Sequence, residues 1–170
     1  MSQQKEALKY EPVTIAPVAC SAEEQDLHVR AFIKQFIVKE AQSRWIELLI
    51  DKRQELLAKP DTHPAKLKLH RASDQLFSRF CLNYLEQYCT PLVGTQTWPM
   101  PLRQVFGEKR GVYFDLNSSP CTMTAAEAAM TAYEDNAILS FIPGETALFF
   151  THEGPVWVCE KRMSSPVGTK

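Results

Sequence analysis

Cysteine is the residue type here most able to do covalent chemistry, and Cys121 is the best placed of five, the others being Cys20, Cys81, Cys89 and Cys159. It follows Ser118-Ser119-Pro120 and precedes Thr124-Ala125-Ala126-Glu127, a T-x-x-E capping pattern that marks a helix start. A thiol just ahead of a helix N-terminus has a lowered pKa, and the free backbone N–H groups there offer an anion site. His152 is the natural base for a small thiol hydrolase or transferase built on it. The expected topology keeps the two apart. A strand over 112–116, a returning helix and a strand over 137–142 leave His152 about one strand length from Cys121, ~17 Å. Proton transfer needs hydrogen-bond reach. Cys121 therefore reads first as a buried or idle thiol and only second as a nucleophile.

The five cysteines are scattered, with no C-x-x-C and no metal-type clustering. Met1 to Tyr10 is polar and lacks the apolar run of an export signal, so a cytoplasmic setting is expected, with reduced thiols and no disulfide. His63 and His70 stand seven residues apart around Lys66, too far along one helix to share a metal, and His28 reads as a surface group. Lys59, Lys66, Lys68, Arg71 and Arg79 could grip phosphate. They lack interleaved aromatics, so they read as a solvated helix face and nucleic acid is not expected. No glycine-rich phosphate loop, G-x-S-x-G or H-E-x-x-H occurs, and no metal or cofactor is expected.

The positive signal is electrostatic. Residues 111–160 contain no Lys or Arg but seven acids, among them Asp115, Glu145 and Glu153, whereas 61–110 carry seven basic and four acidic groups. A chain of net charge −1 is thus expected to be dipolar, with a focused negative field on its C-terminal part. Back-folding of Lys161 and Arg162 would cancel it. Tyr113, Asp115, Glu145, Glu153 and Trp157 become candidates for contact with a basic protein partner, the aromatics anchoring and the acids steering.

The elements that position these groups follow from periodicity. Residues 1–20 carry Pro12 and Pro17 and form an extended arm, which either adds an edge strand or stays loose. Residues 21–170 form a single α+β domain: a helical part over 21–90, a connecting loop over 91–111 and a sheet part over 112–162. Ser21-Ala22-Glu23-Glu24 is a capping box. The apolar set from Val29 to Leu56 then recurs with helical spacing. One straight helix over 22–59 would be roughly 57 Å long, against about 40 Å for a compact domain. The helix is therefore expected either to bend or to project, with any break placed at Gln42-Ser43. After the Pro60–Pro64 turn a second helix is expected over 65–89, antiparallel to the first.

The period switches to two near Gly111. Strands are expected over 112–116, 137–142, 146–151 and 156–159, with a short helix over 124–134. Pro143-Gly144 suits a type II turn, so the last three strands form an antiparallel meander. The expected fold is a helical hairpin packed on a small C-terminal sheet of about four strands.

Three functions compete on these residues. A non-catalytic cytoplasmic binding module for a basic protein partner, of inhibitor, immunity or adaptor type, has the charge asymmetry behind it. A thiol enzyme would use Cys121. A small-ligand protein would place a pocket between helices and sheet, with Trp98 or Trp45 in its wall. No run approaches the ~20 apolar residues of a membrane span, so no membrane partner is expected; self-association is left open.

Overall fold

The computed structural model describes residues 16–78, 84–86, 89–92, 105–115, 121–126, 128–129, 136–151 and 155–161. Trp98, Glu153, His152, Arg79, Cys81, Arg162, residues 1–15 and most of the 91–111 loop lie outside them. Among the described residues no helix is long and apolar enough to cross a membrane.

Helix α1 spans Ala22–Phe36, and the hydroxyl of Ser21 accepts the Glu24 N–H at 3.0 Å, as the capping box requires. Its buried stripe is His28, Val29, Phe32, Ile33 and Phe36. The helix stops at Ile37, which is extended, and not at Gln42-Ser43. The reason is tertiary pairing of the backbone. The Val38 N–H donates to the Tyr84 carbonyl at 2.8 Å, and the Glu86 N–H donates to the Phe36 carbonyl at 2.9 Å. The side chain of Gln42 closes the end of α1 by donating to the carbonyls of Lys34 and Ile37, at 3.0 and 2.9 Å. The residue expected to weaken the helix therefore caps the one before it.

Helix α2 (Lys39–Ile46) runs into a π-helical turn (Glu47–Asp51) and then α3 (Lys52–Leu56). The turn buries three consecutive side chains, Leu48, Leu49 and Ile50, a wider apolar arc than one α-helical stripe supplies. Glu47 is clamped by Lys52 at 2.7 Å and Arg44 at 2.8 Å, which hold its carboxyl below the usual range, Lys52 most strongly. Helix α4 spans Pro64–Ser78, with Pro64 at its first position as expected. The helical reading does not reach residue 89: residues 79–83 lie outside the described ones and Tyr84 is still helical, but Leu85 bridges to Ile37, and Thr90–Pro91 then forms strand β2.

The fold is α+β with one antiparallel sheet, which among the described residues has seven strands, not about four. The strands are β1 (Val18–Ala19), β2, β3 (Arg110–Asp115), β4 (Thr122–Ala125), β5 (Ala137–Ile142), β6 (Thr146–Phe150) and β7 (Val156–Glu160). Their order is β1-β4-β3-β5-β6-β7-β2. The β5-β6-β7 meander stands as expected, and Gly144 takes φ of 69° in its turn. The three further strands have two to four residues, too few for alternation to register in sequence. Pro91 is tolerated because β2 is at a sheet edge. Thr124, taken as a helix cap, pairs with Gly111 instead, and helical backbone begins at Ala126.

One sheet face presents Phe114, Ile138, Ala147 and Phe149 to the helices. There Trp45 and Phe77 meet edge-on at 5.6 Å, and Phe77 meets Phe149 at 5.5 Å. The other face buries Ala137, Leu139, Leu148 and Phe150, joined by Ala126, Ala129 and Phe106, whose ring stacks on Phe141 at 4.8 Å. Both faces are thus covered.

His28 is buried, not a surface group, and its Nδ1 lies 2.8 Å from the Ser140 hydroxyl. Burial lowers its pKa below the ordinary value, with Glu24 and Ser140 opposing. The unfolded chain therefore binds the proton first as pH falls through about 6.5, and stability drops until the lower folded value is reached. Urea midpoints measured from pH 8 to 5 should fall more steeply for the native chain than for His28→Gln. Parallel curves would remove His28 from the pH response.

Candidate ligand-binding cleft

The helical part does not close tightly at its turn. Between the π turn with α3 on one side and α4 on the other lies a semi-open cleft of about 720 Å³. Its apolar lining comes from Leu48, Leu49, Leu56 and Leu57 on the first wall and Leu67 and Leu69 on the second. Leu57 and Leu67 are 64% and 48% exposed, so they form open lips and not core. The volume falls in the range of small-molecule sites, and π turns recur at functional sites.

Charge at this cleft is mostly positive. Arg53, Lys59 and Lys66 line it, with Asp61 the one acid and His70 beside them. Lys66 is largely covered along its stem while its ammonium reaches Asp61 at 3.1 Å. Asp61 is fully solvated, so this pair is weak and leaves the ammonium available to compete for another anion.

Arg53 sits at the inner end. Its guanidinium lies 4.8 Å over the Phe114 ring and donates to the Asp115 carbonyl at 3.0 Å. Burial pushes its pKa down and the Asp115 carboxylate pushes it up; an arginine stays protonated under both. Behind Arg53 a second cavity of about 280 Å³ opens between α1, the π turn and the sheet. Leu49, Arg53 and Leu57 line both spaces, which makes Arg53 the partition between them.

Cys20 and Cys121 line the smaller cavity and are joined by a disulfide, with Cα atoms 5.3 Å apart. This overturns the expectation of reduced, unpaired cysteines. Two residues 101 apart meet because β1 pairs beside β4, a contact sequence spacing does not reveal. The oxidised Cys121 has no thiol, so it is not a nucleophile in this state. Cys89 and Cys159 are buried, and among the described residues no cluster of three or more His, Cys, Asp or Glu could hold a metal.

The residues chosen for a protein interface are dispersed. Tyr113 is half-buried against the outer sheet cluster, and Trp157 packs half-buried on the helix-facing core. Asp115 faces Arg53, so the acidic part is locally compensated. Glu145 is exposed at the β5–β6 turn. Trp45 is fully buried in the core and lines neither cavity.

Sequence reasoning passed over the cleft because Lys59 and Lys66 were assigned to a solvated face. The available signal was Leu57 and Leu67, two leucines off the apolar stripes that flank the Pro60–Pro64 turn. Neither family models, curated proteins nor solved structures show a match to this chain.

Proposed function

We propose that this protein is a non-catalytic binding protein for a small amphipathic anion, an aliphatic body ending in a carboxylate or a similar acid. The observation that carries this reading is the cleft itself, six leucines under a rim of two lysines and one solvated acid, with Arg53 at the inner end. Leucines supply apolar burial, worth about 25 cal/mol per Å² removed from water. The cations select the head group.

Decanoate and decylammonium, titrated calorimetrically below their micelle concentrations, separate this from nonspecific apolar binding. Decanoate should bind saturably and more tightly than the amine. Joint replacement of Lys59 and Lys66 by glutamate should weaken it about tenfold, about 1.4 kcal/mol. Equal affinity for acid and amine, or no saturable binding, would defeat the reading.

A basic protein partner is the second reading. It is favoured by Ile142, 48% exposed, beside exposed Glu145 and Glu160 at one end of the meander. Its mark would be an association rate that falls with salt as the screening length shrinks from about 30 to about 10 Å between 0.01 and 0.1 M. A salt-independent rate would remove it.

A further inference from the structure

The Cys20–Cys121 bridge stands apart from what holds the core together. Neither residue belongs to the two buried apolar clusters. The bond ties β1, a two-residue edge strand, to β4. Beyond the bond, β1 is held by the pairs Val18↔Met123 and Ala19↔Thr122, with Val18 48% exposed. The Cys20 N–H adds a bond to the Cys121 carbonyl at 3.2 Å, and Arg110 Nε adds one to the Ala16 carbonyl at 3.2 Å. Strand β4 keeps four paired positions on β3 whether or not β1 is present. The bridge also forms part of the wall of the 280 Å³ cavity, and Cys20 is only half-buried. A small molecule therefore has a route to the sulfurs that does not cross the core.

We infer that Cys20–Cys121 is a reversible thiol–disulfide exchange site for a small monothiol or dithiol, and that its reduction frees β1 while the helix-on-sheet core stays folded. A thiolate attacks Sγ of Cys20, the S–S bond breaks, and Cys121 leaves as a thiolate that takes a proton from water. A second thiol resolves the mixed disulfide, releasing the Cys20 thiol and the oxidised form of the reductant. Two electrons pass from the thiol pair to the protein. Exposed disulfides are the labile ones, whereas structural bridges of low potential resist the glutathione pool; here Cys20 is the half-buried side of the bond and Cys121 the buried one. Release of β1 removes the Cys20 side of the cavity and opens a second approach to Arg53. The inference does not depend on what, if anything, binds in the larger cleft.

The test uses the full chain without denaturant, with reduced glutathione and dithiothreitol as the reductants. Thiols are followed by alkylation and mass, the fold by near-ultraviolet circular dichroism, and the edge by amide hydrogen exchange. Reduction should go to completion in native buffer and reverse in oxidised glutathione. Exchange at residues 18–20 should approach the rate of an unprotected chain, whereas β5 and β6, which open only with the whole fold, should stay protected well above that rate even after the cross-link's share of global stability is lost. Cys20→Ser should show the same exchange pattern with no reductant present. Three results would overturn the inference. They are a bond that yields only once urea unfolds the chain, a reduced pair that does not re-form, and loss of core protection together with edge protection in the reduced protein or the serine variant.

Discussion

Replacing Trp45 by alanine should lower the unfolding free energy by about 3–5 kcal/mol, the usual cost of emptying an aromatic site in a core that cannot collapse around it. Trp45 is fully buried. Its ring meets Phe77 edge-on at 5.6 Å and Tyr84 at 6.0 Å, and Phe77 continues the contact to Phe149 of β6 and Phe114 of β3. One side chain thus links α2, α4 and the sheet just before the π turn. Against a typical total of about 5–15 kcal/mol, its loss would leave the fold marginal. Urea unfolding followed by far-ultraviolet circular dichroism measures this without the lost fluorophore. Leu57→Ala is the control: that side chain is 64% exposed, and a change within about 0.5 kcal/mol is expected. Equal effects at the two positions would mean that the core is not organised around Trp45.

The cross-link is expected to have an effect of similar size on global stability. Cys20 and Cys121 enclose a loop of sequence separation 101, and in the chain-entropy account a loop near that length stabilises by about 4–5 kcal/mol. This effect acts on the unfolded ensemble, so it is compatible with a native state that merely loosens one edge when the bond is cut. Reduction should lower the urea midpoint and raise the m-value, because the uncrosslinked chain exposes more surface on unfolding. The Cys20→Ser and Cys121→Ser double variant should match the reduced protein and ignore dithiothreitol. An unchanged midpoint on reduction would contradict a cross-link between these residues.

Local signals carried the parts of the fold that are local. Ser21 and Glu24 announced the start of α1, the apolar spacing from Val29 to Leu49 announced the buried faces of α1, α2 and the π turn, and Pro143-Gly144 announced the hairpin between β5 and β6. What stayed hidden depends on partners distant in sequence. The break at Ile37 exists because residues 84–86 supply backbone partners to Phe36 and Val38. Strand β1 realises one of the two alternatives expected for the N-terminal arm, whereas β2 was not expected; both depend on the edges of a sheet built later in the chain. His28 looks like a surface group until Ser140, 112 residues on, provides its partner.

The candidate site divides in the same way. Each cleft residue is visible in the sequence, but leucines at helical spacing read as core and lysines beside them read as solvated. Only the gap between α3 and α4 shows that Leu57 and Leu67 line one open space together with Lys59 and Lys66. Charge counting along the chain likewise leaves out partners from other elements. Asp115 contributes to an acid-only stretch in sequence, whereas in the fold Arg53 of the helical part sits against it.

The binding claim is tested most directly by methyl nuclear magnetic resonance of leucine-labelled protein titrated with decanoate. Methyl signals of Leu48, Leu49, Leu56, Leu57, Leu67 and Leu69 should shift together along one saturable curve. Those of Leu139 and Leu148, buried on the opposite sheet face, should stay in place. Shifts that never saturate, or that centre on Leu139 and Leu148, would contradict a ligand site in the cleft.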